Sequence, residues 1–436
     1  MRQKELEKRL ASADQIPDFL KIPKPLQEKF FAAALEEANS LIGEISQLSQ
    51  VKQNILNELS QGISVFDADK IDWQNMLVAV VDGSDVPALD DRIGLRYGLY
   101  AVAYKLFRGI DVVENGEGYF GDRLPGKISM HRETFLKNLD LVTTYYERFV
   151  ANELLKTVQP DMVMVDGSFF GYRAGCSIVK KESIMWTDPL TEKKFETVYE
   201  LIDEINRLTM VLVESGKAFG VIKRLPTSAI DGYLLLKYGV DRGLELSDRS
   251  ILSLVMKQGE VFDYEKIFGP DLKYDVLTMF RTSVRDKSMA NKPVSEILKN
   301  AERRVKVQLV ADLTDWTIQR GQTWRHYIEK PVIQAVRSTK RYFLKTVEDL
   351  PPVCVEFSEK SSRDFVEKAL AYVFKTANPA TGLPLALDVV DELVSLPRGI
   401  GKEFINEIEA ELLRRGLSKQ SLLAVFTRYN QQKDEP

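Results

Sequence analysis

From Pro25 to Leu59 apolar residues recur at helical spacing in a stretch rich in Glu, Lys, Leu and Ala, which predicts a long amphipathic helix. The stripe is not a clean heptad, so this helix reads as a brace across the main domain ahead of a dimerisation arm. At Leu77-Val78-Ala79-Val80-Val81 the pattern changes to the unbroken apolar run of a strand covered on both faces, and it stops at Asp82-Gly83-Ser84. Leu95 to Arg108 reads as a second strand hairpinned onto the first, and Gly109 to Gly126 as a loop of acidic character. His131 to Val158 is a helix. Pro160 and Asp161 then turn the chain into Met162-Val163-Met164-Val165, which again ends in Asp166-Gly167-Ser168.

Leu201 to Val213 predicts another helix, and Phe219 to Arg224 a third buried strand with Lys223 and Arg224 at its end. From Asp248 to Val261 and on to about Val336 helical patterning dominates, as in a subdomain inserted at about residues 262–336. Arg341 to Lys345 and Pro352 to Phe357 form a strand pair. Pro384 opens a helix that runs to Leu396 and is stopped by Pro397. The pattern predicts an α/β protein, a sheet flanked by helices, with an N-terminal helical arm (1–70), a main domain (71–400) and a helical tail (401–436).

The two Asp-Gly-Ser motifs lie 84 residues apart. At average composition this tripeptide is expected roughly 0.1 times in a chain of such length. One copy alone would be turn chemistry. Two copies behind two buried-type strands read as a pair of carboxylates delivered to one place. Glycine after each acid permits a sharp turn or a close backbone approach.

Composition narrows the chemistry. An apolar fraction of 44% and a charged fraction of 28% over 436 residues describe a globular protein with an ample core and exclude general disorder. The net charge of -4 carries no global sign of nucleic-acid binding, so any polyanion site must be a local basic groove. The inserted region and the residues just after it are the most basic part, with Arg303, Arg304, Lys306, Arg320, Arg325, Lys330, Arg337, Lys340 and Arg341. Cys176 and Cys354 form no CxxC pair, and His131 and His326 allow no HExxH site. Met1 to Leu20 has no apolar core of signal-peptide length, and no stretch approaches the roughly 18 apolar residues of a membrane span. A cytoplasmic protein is expected.

Strand-end aspartates without histidine or cysteine point to hard divalent cations, Mg²⁺ or Mn²⁺. Two such ions roughly 3.5–4 Å apart would clamp the attacking and leaving oxygens of a phosphodiester. More acids are then needed. The helix before the second motif offers Glu147 and Glu153. If it runs antiparallel to the strand, the roughly 16 Å covered by five strand residues matches about 11 helical residues, which favours Glu147. Helical phase favours Glu153. Glu147 is placed first, since a glutamate leans sideways more easily than it climbs most of two turns. Asp388, Asp391 and Glu392 on the last predicted helix read by themselves as an exposed acidic face.

These residues resemble the NurA-type DNA repair nucleases, whose ribonuclease H-like domain carries one Asp-Gly-Ser strand early and another later. The resemblance spans most of residues 75–395. It comprises Asp82, Asp166, an acid matching Glu147, the strand Gly220-Val221-Ile222-Lys223-Arg224, Ser247-Asp248-Arg249-Ser250-Ile251-Leu252-Ser253-Leu254 with Gly259-Glu260, and Tyr342-Phe343-Leu344-Lys345. The family's closing helix, Tyr-Pro-x-x-Leu-x-x-Ala-His, is matched by Leu383-Pro384-Leu385-Ala386-Leu387-Asp388-Val389-Val390-Asp391. Leu383 thus replaces the tyrosine and Asp391 the histidine; the latter change restores an all-acid set.

The resemblance implies a ribonuclease H-like mixed sheet and a metal-dependent deoxyribonuclease. Such an enzyme digests DNA ends, cuts single strands, uses Mn²⁺, and works in break repair as a homodimer on a HerA-type hexameric ATPase. It further implies that Asp82, Glu147, Asp166 and Asp391 hold the ions, while Lys223 either stabilises phosphate charge or pairs with one of the acids. Phe169, Phe170 and Tyr172 are candidates for base stacking, with core packing preferred. Two rivals remain. One is a NurA-like DNA clamp or ATPase adaptor, motivated by Leu383 and Asp391. The other is an actin-like or sugar-kinase-type ATPase, disfavoured because the chain has no Gly-Gly pair.

Overall fold

The computed structural model describes residues 21–87, 96–126, 130–239, 244–289, 292–314, 331–397 and 399–426. The chain divides into two units, residues 1–60 and 61–436. The first is built on α1 (Lys24–Leu59), which follows Pro23 at its N-cap. Leu26, Phe30, Phe31, Leu35 and Ile42 on this helix are exposed.

The second unit carries, in order, β1 (Ile63–Val65), β2 (Leu77–Pro87), β3 (Arg96–Arg108), β4 (Asp111–Gly126), α2 (Arg132–Thr157), β5 (Met162–Asp166), the hairpin β6 (Ser183–Thr187) and β7 (Lys194–Thr197), α3 (Val198–Ser215) and β8 (Ala218–Ile222). There follow α4 (Ala229–Tyr238), α5 (Asp248–Val255), β9 (Glu260–Asp263), α6 (Tyr274–Val284), α7 (Val294–Leu313), α8 (Pro331–Ser338), β10 (Lys340–Leu344) and β11 (Val353–Phe357). The last helices are α9 (Arg363–Lys375), α10 (Leu385–Val394), α11 (Ile400–Arg414) and α12 (Lys419–Phe426).

One nine-stranded sheet organises this unit, in the order β1-β9-β10-β11-β8-β5-β2-β3-β4. Within it β4-β3-β2-β5-β8 is a ribonuclease H-like set. β2, β5 and β8 run parallel, while β3 is antiparallel to both of its neighbours. Alternate residues of each central strand serve opposite faces, as a period of two requires. Ala79, Val81, Val163 and Val165 meet Phe135, Leu139, Val142 and Tyr146 of α2 and Leu201 and Ile205 of α3. Val78, Val80, Met162, Met164 and Phe219 join the core formed with Phe365, Ala369 and Tyr372 of α9 and Leu387 and Val390 of α10. Burial on both faces explains why these strands read as unbroken apolar runs.

Three expectations are corrected. Residues 109–126 are not a loop: from Asp111 they form β4, paired along β3. Its glycines conceal the strand pattern, but a Cβ on Gly118 would lie 2.4 Å from the Tyr104 ring and one on Gly116 2.9 Å from Leu106 Cβ, so these two make room for β3 side chains. Its charges suit an edge strand. The helical reading of Asp248–Val261 holds only to Val255. Glu260–Asp263 is β9, hydrogen-bonded between β1 and β10, and four residues are too few to interrupt a helical average. Lastly, Asp82 does not end its strand. β2 continues to Pro87 against β3, and only its pairing with β5 stops at Val81. Arg320, Arg325, Lys330 and His326 lie outside the described residues, as does Met1–Leu20.

Candidate metal centre

The spacing of the two motifs is the spacing of the strand register. Val78 pairs with Met162 and Val81 with Val165, so Asp82 and Asp166 emerge together where β5 leaves the sheet. A hydrogen bond to the turn acid locks this register: Leu77 N donates to Asp161 Oδ2 across 2.8 Å. Each glycine has its own reason. A Cβ on Gly83 would lie 2.7 Å from Glu147 Oε1 and from Thr143 Cγ2, so its absence lets α2 lower Glu147 onto the strand. Gly167 turns with φ +80° and donates its N–H to Val221 O at 2.8 Å. The turn passes over Gly220, whose Cβ would lie 2.3 Å from Gly167 O.

Asp391 of α10 completes the group. One oxygen from each of Asp82, Asp166 and Asp391 lies within 4.8 Å of the others. Lys223, the first residue after β8, sits among them, with Nζ 2.5 Å from Asp391 Oδ1, 3.2 Å from Asp166 Oδ2 and 3.4 Å from Asp82 Oδ2. The Lys223 carbonyl accepts a hydrogen bond from Arg249 Nη1 at 2.5 Å, which gives one role to the Ser247-Asp248-Arg249 motif. Asp248 supplies another by accepting the N–H groups of Ala229 and Ile230 at the start of α4.

Electrostatics follow from this packing. Burial, then the neighbouring Asp166 charge, raises the Asp82 carboxyl well above the usual range, against the pull of Lys223. Burial also raises Asp166 and pushes Glu147 up to about 8. Asp391, more than half exposed, is held low by its Lys223 partner despite some burial. Burial disfavours the Lys223 ammonium, yet Asp82, Asp166 and Asp391 together hold its pKa above the ordinary lysine value.

Ionised together, three carboxylates against one ammonium would leave an excess of negative charge, and their mutual repulsion adds to the raised Asp82 and Asp166 values. Asp166 Oδ1 is moreover buried without a hydrogen-bond partner. An all-oxygen donor set with an unsatisfied buried oxygen fits a hard divalent cation. Glu147 lies outside the three-carboxylate group but beside it, over Gly83, with Arg148 Nη1 3.7 Å from its Oε2. Glu153 pairs with Lys156 in the last turns of α2. Asp388 accepts from Asn378 and Thr381 and so orders the turn before α10, and Glu392 is exposed. Phe169, Phe170 and Tyr172 are buried in the core, with Tyr172 Oη donating to Asn206.

A groove of about 890 Å³ opens beside the carboxylates. One wall carries Asp166, Lys223 and Asp391, the other Thr278 and Met279 of α6 and Gln308 of α7, with Arg173 and Arg224 also lining it. The sequence reading missed Glu356. It lies in the all-buried strand Val353-Cys354-Val355-Glu356-Phe357 and accepts hydrogen bonds from Ser168 Oγ at 2.7 Å and Phe169 N at 2.9 Å. A charged residue inside so apolar a strand was the available signal.

No protein-family model and no curated protein matches the sequence. The structure is similar to the crystal structure of the NurA nuclease from Sulfolobus solfataricus, with a TM-score of 0.52 at 12% identity over 90% of this chain and 98% of that one. Similarity extends to a NurA structure with manganese, at TM-score 0.42 and 12% identity over 88% and 98% of the two chains. It also extends to NurA bound to dAMP and manganese, at TM-score 0.43 and 10% identity over 90% and 99%. The first of these establishes a shared fold.

Proposed function

We propose that this protein is a divalent-metal-dependent deoxyribonuclease of NurA type. The observation that carries the reading is the convergence of Asp82, Asp166 and Asp391, from two adjacent parallel strands and a facing helix, to within 4.8 Å on a ribonuclease H-like sheet. The fold shared with a structure named as a nuclease supports it.

In this reading Asp82, Asp166 and Asp391 hold Mn²⁺ or Mg²⁺, and Glu147 serves a second ion from above Gly83. The bound cation supplies Lewis acidity toward the phosphodiester and lowers the pKa of a water. Lys223 neutralises phosphate charge as the strand enters, and Arg173 and Arg224 hold the DNA backbone in the groove. The low dielectric around Asp82 strengthens each of these charge contacts. By resemblance, the substrates are DNA ends and single strands in break repair. The partners are a second copy of the chain and a HerA-type hexameric ATPase, in the cytoplasm.

One observation favours a second reading, the clamp or adaptor. The Lys223 ammonium touches all three carboxylates, as it would in a site where an internal ion pair has replaced the cation. The test is digestion of end-labelled linear DNA with Mn²⁺, Mg²⁺ or EDTA, beside Asp82→Ala prepared identically. Cleavage that needs metal and vanishes in the variant is expected. DNA binding without cleavage under every condition, with an ATPase partner added, would overturn the nuclease in favour of the clamp.

A further inference from the structure

Glu356 of β11 and Arg341 of β10 are register partners in the antiparallel pair, the acid buried and the arginine partly buried at the edge of the groove. Val353, Val355 and Phe357 pack into the core beside α9, so Glu356 points to the opposite face, where the turn after Asp166 crosses the sheet. There both carboxylate oxygens are used. Oε1 accepts the Ser168 hydroxyl and the Phe169 amide, and Oε2 accepts Arg341 Nε at 2.7 Å. Arg341 Nη2 in turn donates to Ser168 Oγ at 3.4 Å, and the guanidinium lies 4.1 Å from the centre of the Tyr274 ring on α6. On the other side of the turn Arg148 Nη2 donates to Ser168 O at 3.2 Å.

Burying a charged pair between two strands is costly unless all of its hydrogen bonds are met, and a hydrophobic pair would serve packing as well. Among the described residues, every side-chain hydrogen bond of Glu356 goes to the turn behind Asp166 or to the arginine that grips the same hydroxyl. Among the described residues the first motif has no matching buried pair: Ser84 Oγ accepts the Leu396 amide, at 3.4 Å. We propose that the Glu356–Arg341 pair is a positioning device for Asp166, acting through Ser168 and Phe169 to aim its carboxylate at the cation. This rests on Asp166 being a metal ligand, as proposed above. Outer partners of ligating carboxylates are worth roughly 10–100-fold in metal affinity.

The acid itself is required. A glutamine at 356 has one acceptor oxygen, so its amide N–H groups must face either Arg341 or the Ser168–Phe169 side, donor against donor. Three variants in the full chain test the device: Glu356→Gln, Ser168→Ala and Ser168→Thr. Mn²⁺ affinity is read by calorimetry, and amide exchange of residues 166–170 by hydrogen–deuterium mass spectrometry. Glu356→Gln and Ser168→Ala are expected to bind Mn²⁺ at least tenfold more weakly and to exchange faster in this turn, with unchanged circular dichroism. Ser168→Thr keeps the hydroxyl and wild-type affinity.

Wild-type affinity and exchange in Ser168→Ala would overturn the proposal, and that variant decides alone if Glu356→Gln does not fold. If wild type binds no Mn²⁺, the metal reading fails. Exchange in the turn then still decides whether Glu356 and Ser168 position it.

Discussion

Lys223 Nζ lies 2.5 Å from Asp391 Oδ1, and this contact joins the end of β8 to a helix 168 residues further along the chain. The same ammonium faces Asp82 and Asp166, which are mostly buried and have no other cation within ion-pair distance among the described residues. Lys223→Met leaves two buried acids uncompensated. Thermal unfolding in EDTA should show a loss of about 3 kcal/mol, the order expected for breaking a buried pair, with recovery on adding Mn²⁺. Equal melting of variant and wild type in EDTA would refute this role.

Glu147 and Glu153 stand six residues apart on α2 but in different settings. Glu147 rests over Gly83, whereas Glu153 is paired to exposed Lys156. Glu147→Gln should weaken Mn²⁺ binding by about tenfold and lower cleavage with it. Glu153→Gln should change neither, and its stability should stay within about 0.5 kcal/mol of wild type. Reversed ranking in a calorimetric titration would give the position to Glu153.

The two glycines of the second turn are predicted to differ. Gly220→Ala drives a Cβ to 2.3 Å from a backbone oxygen that cannot move without unpairing Gly167 from Val221, so a loss of about 3 kcal/mol is expected in urea unfolding. Gly167→Ala meets no atom and has only its φ of +80° against it, for about 1 kcal/mol. Equal losses would mean that the backbone crossing is not the constraint.

Asp85, three residues beyond the first acid, provides a pH signature. Burial, then the charge of Asp140, pushes its carboxyl up to about 6, against the hydrogen bond from Thr143. Because the folded pKa is raised, the folded state binds the proton more tightly than the unfolded one. This group's contribution is therefore most favourable below about pH 4, declines as pH rises through 4–6, and is level above. Asp85→Asn should remove that slope, so the variant gains stability relative to wild type between pH 4.5 and 7 by at most about 3 kcal/mol. A pH-independent difference in urea unfolding would exclude the titration.

The central strands were legible because burial on both faces writes itself into consecutive residues. Val78–Val81 and Met162–Val165 read as covered strands, and their common spacing already contained the register that sets Asp82 beside Asp166. Chain geometry likewise put Glu147 at the height where the structure has it, since rise per residue is a local property.

What pattern alone could not reach depends on partners distant in sequence. β4 is a strand because β3 offers it a ladder and bulky side chains that its glycines accommodate. Asp391 meets the cluster while Asp388, one turn earlier, orders a turn, because α10 packs with one particular face toward β2. Glu356 acquires its role only where β11 passes beneath the Ser168 turn. By itself the sequence determined which segments are covered strands and helices and that two acids belong together, for these follow from short-range periodicity. Only the tertiary structure decided which further charges face that pair, because the orientation of a side chain across a packed interface is set by the elements on both sides of it.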